Sequence, residues 1–351
     1  MLTEGQDYAD TVNSYHIVDG AVRADTFKFS ASNDSISATE KTLTGATLID
    51  LTTTDNDVLT LNLGAYAKGT VTGPEKTVNI EEFDIVSAGA EGITFTAPTM
   101  TGVKTVKISG SFVNATGTGV SFTASADNAL ATVDASGVNS GSVILDTTSA
   151  NQALTIIGPN ADATIKAGSG DDIITGQGSI VAGSGNDTIT VTGKAEVTGG
   201  AGADTITTGA TGVTTFKYTG AGETAQLDTT ADIDAADAPL AIRGATNYDT
   251  LTVKAGDKIT TSSTLNLKKY TDTNFVDEKT LAAATNLDAT SGTGDVFVLK
   301  TLEGDYFLVY EASGTGTTDS IGSGAEVIKL VGFTDTSTIT VDTDNKTIII
   351  G

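Results

Sequence analysis

Three stretches between Ala167 and Thr207 repeat one nine-residue phrase. Gly199-Gly200-Ala201-Gly202-Ala203-Asp204-Thr205-Ile206-Thr207 fits G-G-x-G-x-D-x-U-x in full, with U a large apolar residue; Ala182–Thr190 and Ala167–Thr175 fit it with Ala in first place. These residue types suit calcium, which takes about six to eight oxygens at roughly 2.3–2.6 Å. A tight glycine turn can aim several backbone carbonyls at one ion while one carboxylate supplies charge. On this logic the side-chain ligands are Asp172, Asp187 and Asp204, and carbonyls of the turns Gly168-Ser169-Gly170, Gly183-Ser184-Gly185 and Gly200-Ala201-Gly202 complete the shells. The plain alternative is a glycine-rich surface loop in which the phrase recurs by chance.

Each turn needs a strand to hold it. After each Asp the residues alternate, which predicts that Ile174, Ile189 and Ile206 point inward and that their Thr neighbours face water. The aspartates are 15 and 17 residues apart, close to two half-coils, so the three turns are expected on one side, with a single row of about two or three ions between them. The intervening half-coils carry Gln177 and Glu196 in place of an aspartate.

The same rhythm extends upstream. Ile93–Thr96, Val103–Ile108, Val120–Ala124, Ala129–Val133, Val143–Asp146, Leu154–Ile157 and Thr164–Lys166 each read as a short strand closed by Gly, Ser, Asn or Asp. The fold class expected from this is all-β: a parallel β-solenoid or calcium β-roll with a β-rich C-terminal cap. A β-sandwich, whose strands recur at similar spacing, is the other reading. Three regions are expected: a β-rich N-terminal part at 1–88, the solenoid at 89–212 with the repeats at 167–207, and a C-terminal cap with an export-signal region at 213–351.

Ala24-Asp25-Thr26-Phe27, Asn33-Asp34-Ser35-Ile36 and Asn56-Asp57-Val58-Leu59 look like worn copies of the x-D-x-U ending without the glycines. Asp55 and Asp57 therefore read as solvated turn residues first and as calcium ligands second. Asp232, Asp234 and Asp237 lie in a loop before Pro239, and Phe275–Leu287 is the one passable helix. Val296–Lys300, Tyr306–Tyr310 and Val327–Val331 read as strong strands, and Thr338–Val341 with Thr347–Ile350 as a closing hairpin around Asp344-Asn345.

Composition narrows the function. With 44 acidic against 19 basic residues and a formal charge of -25, the chain has no basic stripe for nucleic acid or anionic lipid, and divalent cations are its natural counter-charge. It has no Cys and no Trp, which removes disulfides, thiol chemistry and the usual carbohydrate-stacking platform. No apolar stretch is long enough to insert in a membrane, and the start carries no cleavable export signal, which suits a fragment or export by another route. The sole histidine, His16, has no partner pattern, and no H-E-x-x-H, G-x-S-x-G or P-loop occurs. The adjacent acids Glu81 and Glu82 fall on opposite faces of a strand. An enzyme is not expected.

The match to G-G-x-G-x-D-x-U-x resembles the RTX, or haemolysin-type calcium-binding, proteins of Gram-negative bacteria. Gly304-Asp305-Tyr306-Phe307-Leu308-Val309-Tyr310, Glu326–Gly332 and Gly256-Asp257-Lys258-Ile259 are similar to segments near the end of such proteins. The Thr/Ala/Gly/Ser-rich, Cys-free, acidic chain is also similar to bacterial surface-layer proteins. The resemblance implies Ca2+ as cofactor, the type I secretion machinery and further copies of the chain as partners, lipopolysaccharide binding through some other part, and a place on the bacterial cell surface. The expected function is a calcium-dependent structural protein that folds and assembles outside the cell. A C-terminal calcium-binding and export module of an adhesin or exoenzyme is the alternative.

Overall fold

The computed structural model describes residues 14–16, 26–29, 33–39, 47–50, 55–65, 67–72, 74, 76–96, 102–113, 119–124, 129–218, 249–261, 266–267, 295–300, 305–311, 325–334, 339–342 and 346–351. Every element within them is a β-strand, and the chain divides into two compact units, Met1–Ile180 and Val181–Gly351. The expected helix at Phe275–Leu287 and the acidic loop with Asp232, Asp234 and Asp237 lie outside the described residues.

The first unit begins with β1 (Ser14–His16), β2 (Thr26–Phe29), β3 (Ser35–Thr39), β4 (Thr47–Asp50), β5 (Val58–Leu63), β6 (Lys68–Thr72) and β7 (Lys76–Val78). It continues with β8 (Glu82–Thr96), β9 (Thr105–Val113), β10 (Val120–Thr123), β11 (Thr132–Ser140), β12 (Val143–Asp146), β13 (Thr155–Ile157), β14 (Ala163–Lys166) and β15 (Ile173–Ser184), which runs past the boundary. The expected short runs fall on β8 to β14. The period-2 patterning has its expected effect: β5 buries Leu59, Leu61 and Leu63, and β12 buries Val143 and Leu145.

An open solenoid or calcium roll is nevertheless not what forms, and the expected fold class is corrected here. The core is a closed barrel of eight parallel strands with further strands bonded outside it. Closure comes from two strands much longer than the short-run reading allowed. β8 pairs with β9 through Glu82–Glu91 and with β10 through Ile93–Thr96. One ladder then runs β9, β11, β13, β15 and the other β10, β12, β14. The second half of β15 lies beside β14, where Gly178 backs onto the Ala163 backbone and joins the two ladders. β5 and β6 bond to β8 from outside.

Small residues let β8 serve both ladders. Gly89 (φ 118°) and Gly92 (φ 59°) take conformations that side chains resist, and the register shifts between Ala88 and Ala90. The barrel interior is packed with side chains, as expected for eight strands. Phe83 and Phe95 lie 5.1 Å apart and Phe95 and Phe122 6.1 Å apart, all three fully buried.

The second unit comprises β16 (Thr188–Ala201), β17 (Thr205–Thr207), β18 (Thr214–Tyr218), β19 (Asp249–Thr252), β20 (Lys258–Thr261), β21 (Asn266–Leu267), β22 (Asp295–Lys300), β23 (Tyr306–Glu311), β24 (Ala325–Val331), β25 (Ile339–Asp342) and β26 (Thr347–Ile350). Parallel ladders run β16–β17–β19–β24 and β16–β18–β20. Each ladder then turns antiparallel, β24–β23–β22 in one and β20–β26–β25 in the other. The three strong strands and the closing hairpin expected from the sequence are all present.

Candidate metal site in a column of buried acids

In each unit the residue just before a strand has an unusual duty. Its carbonyl accepts from the next layer: Val58 N–H donates to Asp34 O at 2.8 Å, Thr205 N–H to Asp187 O at 2.8 Å and Thr250 N–H to Asp204 O at 2.7 Å. Its own N–H lies in the turn, buried and in need of an acceptor. An acidic side chain from the following layer supplies one. In the first unit Asp34 N–H donates to Asp57 Oδ1 at 2.7 Å, Asp57 N–H to Glu81 Oε2 at 3.0 Å and Leu154 N–H to Asp172 Oδ1 at 2.7 Å. In the second unit Asp187 N–H donates to Asp204 Oδ1 at 2.9 Å and Asp204 N–H to Asp249 Oδ1 at 2.8 Å. No acid in this set is more than 4% exposed. Each carboxylate therefore pins its layer to the one before through a charge-assisted bond.

Asparagine works in the other direction. Asn33 Oδ1 accepts from Asn56 N–H at 3.0 Å, and Asn186 Oδ1 accepts from Ala203 N–H at 2.8 Å. An Asn-Asp pair thus grips the layer after it with the first residue and, at Asp57, the layer before it with the second.

The glycines of the repeat answer to a different constraint, the closeness of successive turns. A methyl on Gly200 (φ 114°) would lie 1.8 Å from Gly183 O, and one on Gly202 (φ 137°) 1.9 Å from Gly185 O. In the first unit a methyl on Gly168 would lie 2.0 Å from Ala150 O and one on Gly170 2.5 Å from the Gln152 carbonyl carbon. The turns are tied by Gly185 N–H to Ala201 O at 2.8 Å and Ser169 N–H to Ala150 O at 3.0 Å.

The proposed ligands are therefore distributed as follows. Asp187 and Asp204 come together with the turns Gly183-Ser184-Gly185 and Gly200-Ala201-Gly202 in the second unit. Asp172 and the turn Gly168-Ser169-Gly170 stack on residues 147–152 in the first. Ile174, Ile189 and Ile206 are buried, and Thr188, Thr190, Thr205 and Thr207 are exposed, as the alternation requires. Asp172 and Asp204 each give one carboxylate oxygen to a backbone N–H of the preceding layer, a role not foreseen.

The second oxygen sets Asp204 apart from Asp249, while Oδ2 of Asp57, Asp172 and Asp187 is buried as that of Asp204 is. Asp204 Oδ2 is buried and makes no hydrogen bond. Burial pushes the Asp204 carboxyl up to about 6, against the lowering effect of the Asp187 N–H. Asp172 is also raised, first by burial, with the N–H groups of Leu154 and Gly168 opposing. At Asp249 the second oxygen instead accepts the Tyr218 hydroxyl at 2.6 Å. Asp257 accepts Thr214 N–H at 2.9 Å, Lys254 N–H at 3.0 Å and Lys254 Nζ at 3.3 Å. Glu81 has Lys104 Nζ at 3.8 Å.

These features fit a hard, oxygen-seeking cation at the Asp204 layer. A bare buried carboxylate oxygen wants positive charge, and the Gly183 and Gly185 carbonyl oxygens occupy the space that side chains would fill. Among the described residues no three His, Cys, Asp or Glu side chains converge. A cation here would accordingly draw on one carboxylate and backbone carbonyls.

Sequence reasoning missed Glu81, Asp249 and Tyr218 and misjudged Asp57, which is fully buried rather than a solvated turn residue. The signal was present as an acid two residues before a buried apolar residue: Asp34 and Ile36, Asp57 and Leu59, Glu81 and Phe83, Asp249 and Leu251, Asp257 and Ile259. Glu82 faces outward to Lys107 at 2.7 Å while Glu81 is buried, so this acid pair is split across the sheet as expected. Glu196, in β16, pairs with Lys217 at 2.6 Å on the surface. No family model, curated protein or solved structure matches the chain.

Proposed function

We propose that this chain is a calcium-dependent structural protein of a bacterial cell surface, in which the ion completes the Asp204 layer. The observation that carries the reading is Asp204 Oδ2, a buried carboxylate oxygen with no hydrogen-bond donor, beside turns whose carbonyls crowd glycine backbone. An ionised carboxylate in that position is costly unless something positive faces it. The formal charge of -25 adds a general demand for counter-ions. The ion acts at the Asp204 layer and its glycine turns, and its binding free energy adds to the stability of the unit that holds them.

The mechanism is linkage. Extracellular calcium modules bind at about 0.1–1 mM, so the sites stay empty at cytosolic calcium levels and fill outside the cell. At about 100 times the dissociation constant, one site adds roughly 2.7 kcal/mol of stability. Export through a type I machinery, followed by calcium-driven folding and self-association into a surface layer, is the sequence of events this proposes. Circular dichroism and thermal melting in excess calcium and in excess chelator test the first part: a melting temperature that does not differ between the two refutes it. Electron microscopy tests the second, with ordered arrays or defined oligomers expected in calcium and monomers in chelator. A chain that binds calcium yet remains monomeric throughout is the export module of the alternative reading.

A further inference from the structure

Asp204 and Asp249 use one carboxylate oxygen alike and the other differently. Asp204 Oδ1 accepts the Asp187 N–H at 2.9 Å, and Asp249 Oδ1 accepts the Asp204 N–H at 2.8 Å. Both side chains are buried. Asp204 Oδ2 makes no hydrogen bond, whereas Asp249 Oδ2 accepts the Tyr218 hydroxyl at 2.6 Å. The phenol comes from the last residue of β18, a strand of the other ladder, and is itself only 5% exposed. Asp257, also buried, has a cation of the chain's own beside it, Lys254 Nζ at 3.3 Å. The turns change with the partner. Four and two residues before Asp204 stand Gly200 and Gly202; the same places are Ala245 and Asn247 before Asp249, and Val253 and Ala255 before Asp257.

We infer that Tyr218 closes the Asp249 layer to calcium, so that the row of ions in the second unit stops at Asp204. The inference rests on the calcium reading above and deepens it by naming the residue that ends the row. Calcium holds its oxygen ligands at about 2.3–2.6 Å, so the phenol oxygen stands at the distance from Asp249 Oδ2 that an ion needs. Two hydrogen bonds, one on each oxygen, meet the needs of the buried Asp249 carboxylate without a metal. The Asp204 carboxylate has such a donor on one oxygen only. The hydroxyl of Tyr218 thus does at Asp249 what the ion does at Asp204.

Calorimetric titration of the full chain with calcium chloride tests this with the variants Asp249→Asn and Tyr218→Leu. The amide of Asp249→Asn still accepts the Asp204 N–H and can donate to the Tyr218 oxygen, so the variant should bind as many ions as wild type. Loss of an ion overturns the inference. Tyr218→Leu clears the end of the ring with its hydroxyl, keeps an apolar side chain in the core and should bind one ion more than wild type. Adding Asp249→Asn to it should abolish the extra ion. A folded Tyr218→Leu protein with the wild-type number of ions overturns the inference, as does an extra ion that survives in the double variant. If Tyr218→Leu does not fold, as judged by circular dichroism, Asp249→Asn decides alone. A wild-type chain that takes up no calcium overturns the calcium reading and this inference together, whereas uptake by wild type with no gain in Tyr218→Leu overturns this inference only.

Discussion

Asp204 should make the metal-free protein less stable as pH rises, the reverse of ordinary acid denaturation. Folded, its carboxyl is pushed up to about 6 by burial; unfolded, it returns to the ordinary value of 3.8. Between those values the folded chain holds a proton that the unfolded chain has released. The stabilising contribution is complete below the unfolded value and lost as pH climbs through about 6. A separation of roughly two pH units at about 1.4 kcal/mol each is worth about 3 kcal/mol. Asp172, raised by the same cause, acts in the same direction. Asp204→Asn removes the charge and keeps a carbonyl oxygen for the Asp187 N–H. Its new amide N–H groups face the buried space now holding Oδ2, an unmet donor costing about 1–3 kcal/mol. The net expectation at pH 7.5 in chelator is a variant about as stable as wild type or up to about 2 kcal/mol more so, with much of the pH dependence between 4 and 6.5 gone. Urea unfolding followed by circular dichroism at several pH values, with and without calcium, measures this. Calcium should raise wild-type stability at pH 7.5 and leave Asp204→Asn largely unmoved. A wild-type stability that is flat from pH 4 to 6.5 in chelator, or one that rises, refutes the reasoning.

Other consequences are accessible to the same unfolding measurement. Tyr218→Phe removes the hydroxyl that donates to Asp249 Oδ2 at 2.6 Å and should cost about 1.5–3 kcal/mol, as a buried bond to a charged acceptor. Gly202→Ala places a methyl 1.9 Å from Gly185 O at φ 137° and should cost more than about 2 kcal/mol, whereas Gly64→Ala, with nothing within 4 Å, should be close to neutral; equal effects would refute the turn-stacking argument. Phe95→Ala, between Phe83 and Phe122 inside the barrel, should cost about 3–5 kcal/mol and leave calcium affinity unchanged in titration calorimetry.

The residue pattern alone carries local information. Alternation with period 2 identified the strands and their inward residues, because side chains on a strand point alternately to its two faces whatever lies around it. Ile174, Ile189 and Ile206 are buried for that reason, and the spacing of Asp187 and Asp204 brought their two turns into register. The tertiary structure decided the rest. A run such as Ser87-Ala88-Gly89-Ala90-Glu91-Gly92 looks like a break between strands, yet it bends without interrupting β8 and lets one strand serve two ladders. That closes a barrel where an open stack was expected. The acids were visible as chemistry but not as structure, since a carboxylate's partner is a backbone N–H 17, 23 or 45 residues away in the chain. Only packing could show that Asp249 receives a phenol and Asp204 does not, and with it where a positive charge is wanted: a bare lone pair costs free energy only once water has been excluded.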